Sequence, residues 1–148
     1  KGTLTKMCSN KEWTEFSYYF DGVYQRDISI TGAKYIMGLE GLEDSELLML
    51  DVRYCEKLIE INAKNNPNLT SLNLSNCIRL QRLDVSGCTR LGSTTGTPLD
   101  VGNCYNLKYL DISNTSVPAL TTTNCSYLTH VNISKSLISS INMLSIHI

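Results

Sequence analysis

The sequence predicts a mainly β repeat solenoid, and three observations lead there. Apolar residues recur every eleven positions, each unit carries an apolar-x-apolar triplet, and the ninth position of the unit alternates in type. One row is Ile36, Leu47, Leu58, Leu69, Leu80 and Leu91, and a second is Ile28, Leu39, Leu50, Ile61, Leu72 and Leu83. A third row, two residues later, is Ile30, Gly41, Val52, Ala63, Leu74 and Val85. A fixed period decides a fold before local propensity does. The count slips by five residues across 92–98, then resumes at Leu99, Leu110, Leu120, Val131 and Ile141.

The L-x-V triplet has the two-residue period of a strand with one buried face. Eleven residues cannot hold a crossover helix, so two units make one coil of about 22 residues with two strand segments. Stacked coils set equivalent segments ~4.8 Å apart as parallel strands, and every inward leucine meets its copies above and below. The ninth position supports the pairing of units. In even units it is Cys55, Cys77, Cys104 and Cys125, preceded by Ala33; in odd units it is Asp44, Asn66, Cys88, Thr115 and Ser136. Four thiols are therefore expected to stack as a buried, free ladder, each a small apolar group with a weak donor. No C-x-x-C pair offers zinc a site. Cys88 falls in the opposite column and Cys8 outside the repeats, which makes Cys8 the expected reactive thiol.

Residues 1–27 break the period and hold Trp13, Phe16 and Phe20, the chain's one Trp and both Phe. They are expected to form an aromatic cap, with Asn10 capping a short helix from Lys11 and Gly22 beyond its end. The solenoid is assigned to 28–148. Its last unit stays apolar through Ile148 without a polar capping segment, so self-association through this uncapped coil is a further expectation.

Thirteen basic and fourteen acidic side chains give a net charge of −1, which lacks the electrostatic footprint that nucleic-acid binding needs. No apolar run approaches the ~20 residues that span a bilayer. The two histidines, His130 and His147, have no nucleophile tied to them by a motif, and catalysis is not expected. Neither a cofactor nor a metal site is expected. Five N-x-S/T sequons, at Asn68, Asn73, Asn114, Asn124 and Asn132, follow from the repeat itself.

The strings Leu69-Thr70-Ser71-Leu72-Asn73-Leu74-Ser75-Asn76-Cys77 and Leu80-Gln81-Arg82-Leu83-Asp84-Val85-Ser86-Gly87-Cys88 resemble bacterial leucine-rich repeat proteins. The resemblance covers 28–148 and is to the internalin-like cell-surface branch with a cysteine ladder. Plant resistance-protein and F-box cysteine-type repeats carry similar strings but lack the half-coil period of eleven. The resemblance implies a right-handed leucine-rich-repeat solenoid of about five coils of 21–22 residues. It further implies an extracellular or cell-surface binding or adhesion module without catalysis, whose partner is a protein or a glycan. A spacer presenting a neighbouring domain and an intracellular signalling repeat are the alternatives.

Solenoids bind through extended sheet faces. The even face is a neutral carpet of residues such as Thr70, Ser71, Asn73 and Thr121, whereas the odd face is rich in charge and aromatics. Arg82, Tyr109 and His130 are expected at the centre of a ligand site there, with Asp84, Asp111 and Lys108 around them, because Tyr and Arg dominate binding hot spots. The outward Asp and Asn residues, among them Asp51, Asp84 and Asp111, are expected to form a solvated face; a stacked calcium site is the alternative. The insert over 92–98 is a second candidate site.

Overall fold

The computed structural model describes residues 6–9, 12–14, 26–29, 36–40, 47–93 and 96–142. Thirteen short strands are found among them and no helix: β1 (Lys6–Ser9), β2 (Glu12–Thr14), β3 (Arg26–Ser29), β4 (Ile36–Glu40), β5 (Leu47–Asp51), β6 (Glu60–Asn62), β7 (Ser71–Asn73), β8 (Arg82–Asp84), β9 (Leu99–Asp100), β10 (Tyr109–Asp111), β11 (Ala119–Thr121), β12 (His130–Asn132) and β13 (Ser140–Asn142). They build a parallel β-solenoid. On the odd side β4, β6, β8, β10 and β12 stack in order, with Leu39, Ile61, Leu83, Leu110 and Val131 in register. The steps are 22, 22, 27 and 21 residues, and the long one contains the insert.

Each coil turns from one side to the other through two consecutive turns hinged on the ninth residue. The Cys77 N–H donates to the Leu74 carbonyl, and the Cys77 carbonyl accepts from Leu80. Cys55, Cys88, Cys104 and Cys125 repeat this arrangement. One residue earlier the backbone takes the left-handed conformation, at Tyr54, Asn65, Asn76, Gly87, Asn114, Asn124 and Lys135. Asn and Gly tolerate that conformation best, which is why they crowd the eighth position of the unit.

The core follows the predicted rows through the middle coils, except that Ile36, Leu72 and Ile141 are only partly buried. Leu39, Leu50, Ile61, Leu83, Leu110 and Leu120 are buried, as are Leu58, Leu69, Leu80 and Leu107 at the strand entrances. Burying each such side chain contributes ~1.5–3 kcal/mol. At the far end the cover thins: Val131 is 41% exposed and Leu137 66%.

Two expectations need correction. The helix expected from Lys11 is not formed, because Glu12–Thr14 is a strand that pairs antiparallel with β1, Cys8 opposite Trp13. β1 in turn pairs antiparallel with β4, Met7 opposite Leu39. A strand at the end of a ladder presents unpaired N–H and C=O groups, and a hairpin can satisfy them where a helix cannot. Phe16 and Phe20 lie outside the described residues, as does His147; the side chain of Cys8 lies outside them too.

The second correction concerns symmetry. The odd strands form one continuous sheet, whereas the even strands are split into β3-β5-β7 and β9-β11-β13. Pro98 supplies a reason. In the intact ladders the first strand residue donates to the preceding coil, as the Tyr109 N–H does to the Gln81 carbonyl and the His130 N–H to that of Lys108. Pro98 stands at the equivalent place in its coil and has no N–H to give.

Candidate binding face

The odd face is built from the side chains that alternate outward between buried leucines. Parallel register then sets residues one coil apart side by side. Tyr109 pairs with Arg82 on one flank and with His130 on the other, and Arg82 pairs with Glu60. The three residues expected at the centre of a site thus stand in one row across β8, β10 and β12.

Their side chains touch. The Arg82 guanidinium carbon lies 3.7 Å from the Tyr109 ring centroid, a cation–π contact. Tyr109 and His130 are stacked with centroids 6.3 Å apart and planes at 28°. Arg82 Nε is 3.3 Å from Glu60 Oε1, and its Nη2 is 3.5 Å from Asp84 Oδ2. Glu60, Arg82, Tyr109 and His130 therefore form an unbroken ladder across four coils. Because Tyr109 is flanked on both sides, it presents a ring edge and a hydroxyl rather than an open face. Glu60 was not among the expected site residues, although its position 22 residues before Arg82 and its opposite charge are legible in the sequence.

His130 is exposed, and its Nδ1 lies 2.9 Å from Thr129 Oγ1. That hydroxyl also donates to the Lys108 carbonyl at 3.2 Å, which ties the imidazole to the backbone of the preceding coil. Lys108 is exposed beside Tyr109, at the edge of the row. Tyr105 and Tyr127, 45% and 59% exposed, border this face at the corner leading into β10 and β12, and sequence reasoning did not single them out.

Asp84 and Asp111 stand in the next row, with Asn62 and Asn132. The expected solvated face is corrected at three of its carboxylates, whereas Asp100, Asn132 and Asn142 are exposed as expected. Asp51, Asp84 and Asp111 are 7%, 9% and 8% exposed, and each turns back onto its own chain. Asp111 Oδ1 accepts from the Ser113 N–H at 2.9 Å and the Ser113 hydroxyl at 2.6 Å, and Asp84 does the same with Ser86 at 3.1 and 2.7 Å. The pattern recurs at Asn62, Asn73, Asp100 and Asn132, each accepting from the N–H two residues on. An Asp or Asn at this position closes a turn. Burial works to raise the Asp111 carboxyl, but hydrogen bonds from Ser113, Asn132 and Tyr109 outweigh it and hold the group below the ordinary carboxylate range. Among the described residues no cluster of three His, Cys, Asp or Glu could hold a metal ion.

The cysteine ladder lies beneath this surface. Cys55, Cys77, Cys88, Cys104 and Cys125 are buried and form no disulfide. Their thiols reach between coils: Cys77 Sγ donates to the Val52 carbonyl at 3.1 Å, Cys88 to Ala63 at 3.2 Å and Cys125 to Val101 at 3.1 Å. Asn66, Thr115 and Ser136 at the same position bond instead within their own coil, to Ala63, Ile112 and Ile133. Burial pushes the Cys77 thiol up to about 12, with Cys55 adding to the effect. It pushes Cys88 and Cys125 up to about 11.

No protein-family model, curated protein or solved structure matches the chain. What the fold defines is a class: a parallel β-solenoid with cysteines in its repeats. No helix among the described residues is long and apolar enough to cross a membrane.

Proposed function

We propose that the chain is a non-catalytic recognition module that binds a protein or glycan through its odd face. The observation that carries the reading is the Glu60–Arg82–Tyr109–His130 ladder, four interlocked side chains on a continuous parallel sheet. Stacking restrains these side chains before a partner arrives, so less conformational freedom remains to be lost on binding. Arg and Tyr are also the types that carry most binding energy at interfaces. Asp84, Asp111 and Lys108 frame the row. The reading extends to a bacterial cell-surface module of the internalin-like leucine-rich repeat type, on the strength of the repeat strings and the cysteine ladder.

The test is a binding screen of the purified chain against arrayed glycans and extracellular proteins, with an Arg82→Ala, Tyr109→Ala variant alongside. A partner bound by the wild type and lost in the variant supports recognition through this face. No partner, or binding unchanged in the variant, overturns it in favour of a spacer.

A further inference from the structure

The even ladder is interrupted between β7 and β9, and a cleft of about 220 Å³ opens there between residues 72–75 of one coil and residues 97–104 of the next. Its ends are shut. Ahead of the strands the Thr89 hydroxyl donates to the Pro67 carbonyl at 3.4 Å and Arg90 Nη1 to Asn68 Oδ1 at 3.3 Å; beyond them Asn106 Nδ2 donates to the Ile78 carbonyl at 2.8 Å. These contacts hold the two coils around a bounded pocket.

Two buried polar groups lack their repeat partners at this place. Val52 N–H bonds the Asn73 carbonyl and Val101 N–H the Thr121 carbonyl, but the equivalent Leu74 N–H bonds nothing among the described residues, although Leu74 is only 4% exposed. The Cys77 and Cys125 thiols donate to carbonyls one coil back, whereas the Cys104 thiol, buried and lining the cleft, makes no hydrogen bond among the described residues. A buried donor without an acceptor is costly, so the pocket favours an occupant that offers acceptors.

The rim supplies the complement. Asp100 is exposed and is the one charged residue among those lining the cleft; its Oδ1 accepts from the Gly102 N–H at 2.8 Å, and its Oδ2 is open as an acceptor. Asn73 Oδ1 is taken by the Ser75 N–H and hydroxyl, at 3.1 and 2.8 Å, which leaves its Nδ2 to donate, and the exposed Asn103 amide adds a donor and an acceptor. Leu72 and Pro98 provide an apolar wall.

We propose that this pocket is a second binding site, independent of the odd face, and that it takes a single pyranose sugar. Hydroxyls both donate and accept, so one ring gives hydrogen bonds to the Asp100 carboxylate and accepts them from the Leu74 N–H and the Asn73 and Asn103 amides. Its C–H face packs on Leu72 and Pro98. An anion would meet the Asp100 carboxylate, and an organic cation would leave the Leu74 N–H without an acceptor. A cavity of about 150 Å³ accepts benzene, so 220 Å³ has room for a six-membered ring with its hydroxyls.

The experiment titrates the isotope-labelled full chain with hexoses, deoxyhexoses, N-acetylhexosamines and their methyl pyranosides, and reads amide shifts and affinity by NMR; butylammonium is the cation control. At least one sugar should shift the Leu74 amide and the Asn73 and Asn103 side-chain amides. Its affinity should fall at least tenfold in Asp100→Asn, which keeps the acceptor for Gly102 as Asn73 does for Ser75, and in Ser75→Arg, which fills the cleft with the residue the repeat already carries at the equivalent Arg53. Amide spectra unchanged away from the cleft should show that both variants fold. The Arg82→Ala, Tyr109→Ala variant should bind the sugar as the wild type does, which separates failure of the odd face from failure of the pocket. A methyl pyranoside that binds as well as the reducing sugar assigns the pocket to a chain end, and a reducing sugar preferred at least tenfold assigns it to a free monosaccharide. Sugars that shift no resonance of the cleft, binding unchanged in both cleft variants, binding lost in the odd-face variant, or butylammonium bound more tightly than every sugar overturns the proposal.

Discussion

The Cys77 thiol donates to the Val52 carbonyl one coil earlier, 3.1 Å away, while Asn66 at the equivalent place in an odd unit bonds Ala63 inside its own coil. Two residue types thus solve the same corner differently: the amide closes its own turn, and the thiol ties neighbouring coils. Cys77→Ser keeps a donor and should cost about 1–2 kcal/mol. Cys77→Asp places a carboxylate in a column with no cation and should cost more than about 3 kcal/mol. Urea denaturation of the three proteins checks the ranking, and equal stability of wild type and Cys77→Asp would refute a buried ladder.

The same burial makes the fold alkali-sensitive. An unfolded thiol ionises near 9.0, whereas Cys77 in the fold does so only at about 12 and Cys88 at about 11. Above pH 9 the unfolded chain therefore binds fewer protons than the folded one, and stability falls as pH rises. The melting temperature should drop between pH 8 and 10.5, and the drop should be shallower in Cys77→Ser. Parallel curves for the two proteins would remove the thiols as the cause.

Much of this was legible because the period does geometric work. A repeat of 22 stacks Cys55 under Cys77 and Glu60 under Arg82, so a column read down the sequence is a column in space. The row Arg82, Tyr109, His130 followed from counting alone once the five-residue slip was placed. What counting missed depends on backbone groups. The spacing of Trp13, Phe16 and Phe20 suits a helix, but the open edge of β4 needs ladder partners, and only the assembled sheet reveals that need. Likewise the Asp column looks outward by period, yet each carboxylate bends to an amide two residues on. Pro98 splits the sheet by a donor it lacks, which periodicity of side chains does not register.

Asp111 joins two coils, because its carboxylate also accepts from Asn132 Nδ2 at 2.9 Å. Asp111→Ala strips acceptors from Ser113 and Asn132 and should destabilise by about 1–3 kcal/mol; Asp111→Asn keeps one turn acceptor and should cost less. The folded carboxyl is held below its ordinary value, so its contribution is present at neutral pH and lost as pH falls through the folded value. The stability gap between wild type and Asp111→Asn should therefore close below about pH 4. Denaturant titrations at pH 7 and pH 3 test both halves.

Arg82 over Tyr109 should register as a coupling. In a double-mutant cycle of Arg82→Ala and Tyr109→Ala, the interaction term in folding stability should be about 0.5–1 kcal/mol, in the range of exposed cation–π pairs. Arg82→Lys keeps the charge but not the planar group, and the coupling measured with it should be smaller. Additive single effects would show that the stacked geometry contributes nothing in solution.

The eighth position offers the sharpest local test, because it isolates backbone conformation from packing. Asn76 has φ 62°, and its side chain is exposed. Asn76→Gly should be within about 0.5 kcal/mol of wild type, while Asn76→Ala should cost about 1 kcal/mol from left-handed strain. Gly87, at φ 75°, occupies the same place one unit later, but there a Cβ would lie 2.7 Å from Asn65 Oδ1. Asn65 is exposed and its amide can swing aside, while its backbone stays 3.5 Å away, so backbone strain decides: Gly87→Ala should cost more than Asn76→Ala because glycine tolerates the left-handed region better than asparagine. Melting temperatures should fall in the order wild type, Asn76→Ala, Gly87→Ala. If Gly87→Ala were the milder change, the left-handed conformation at Gly87 would not be the one that holds in solution.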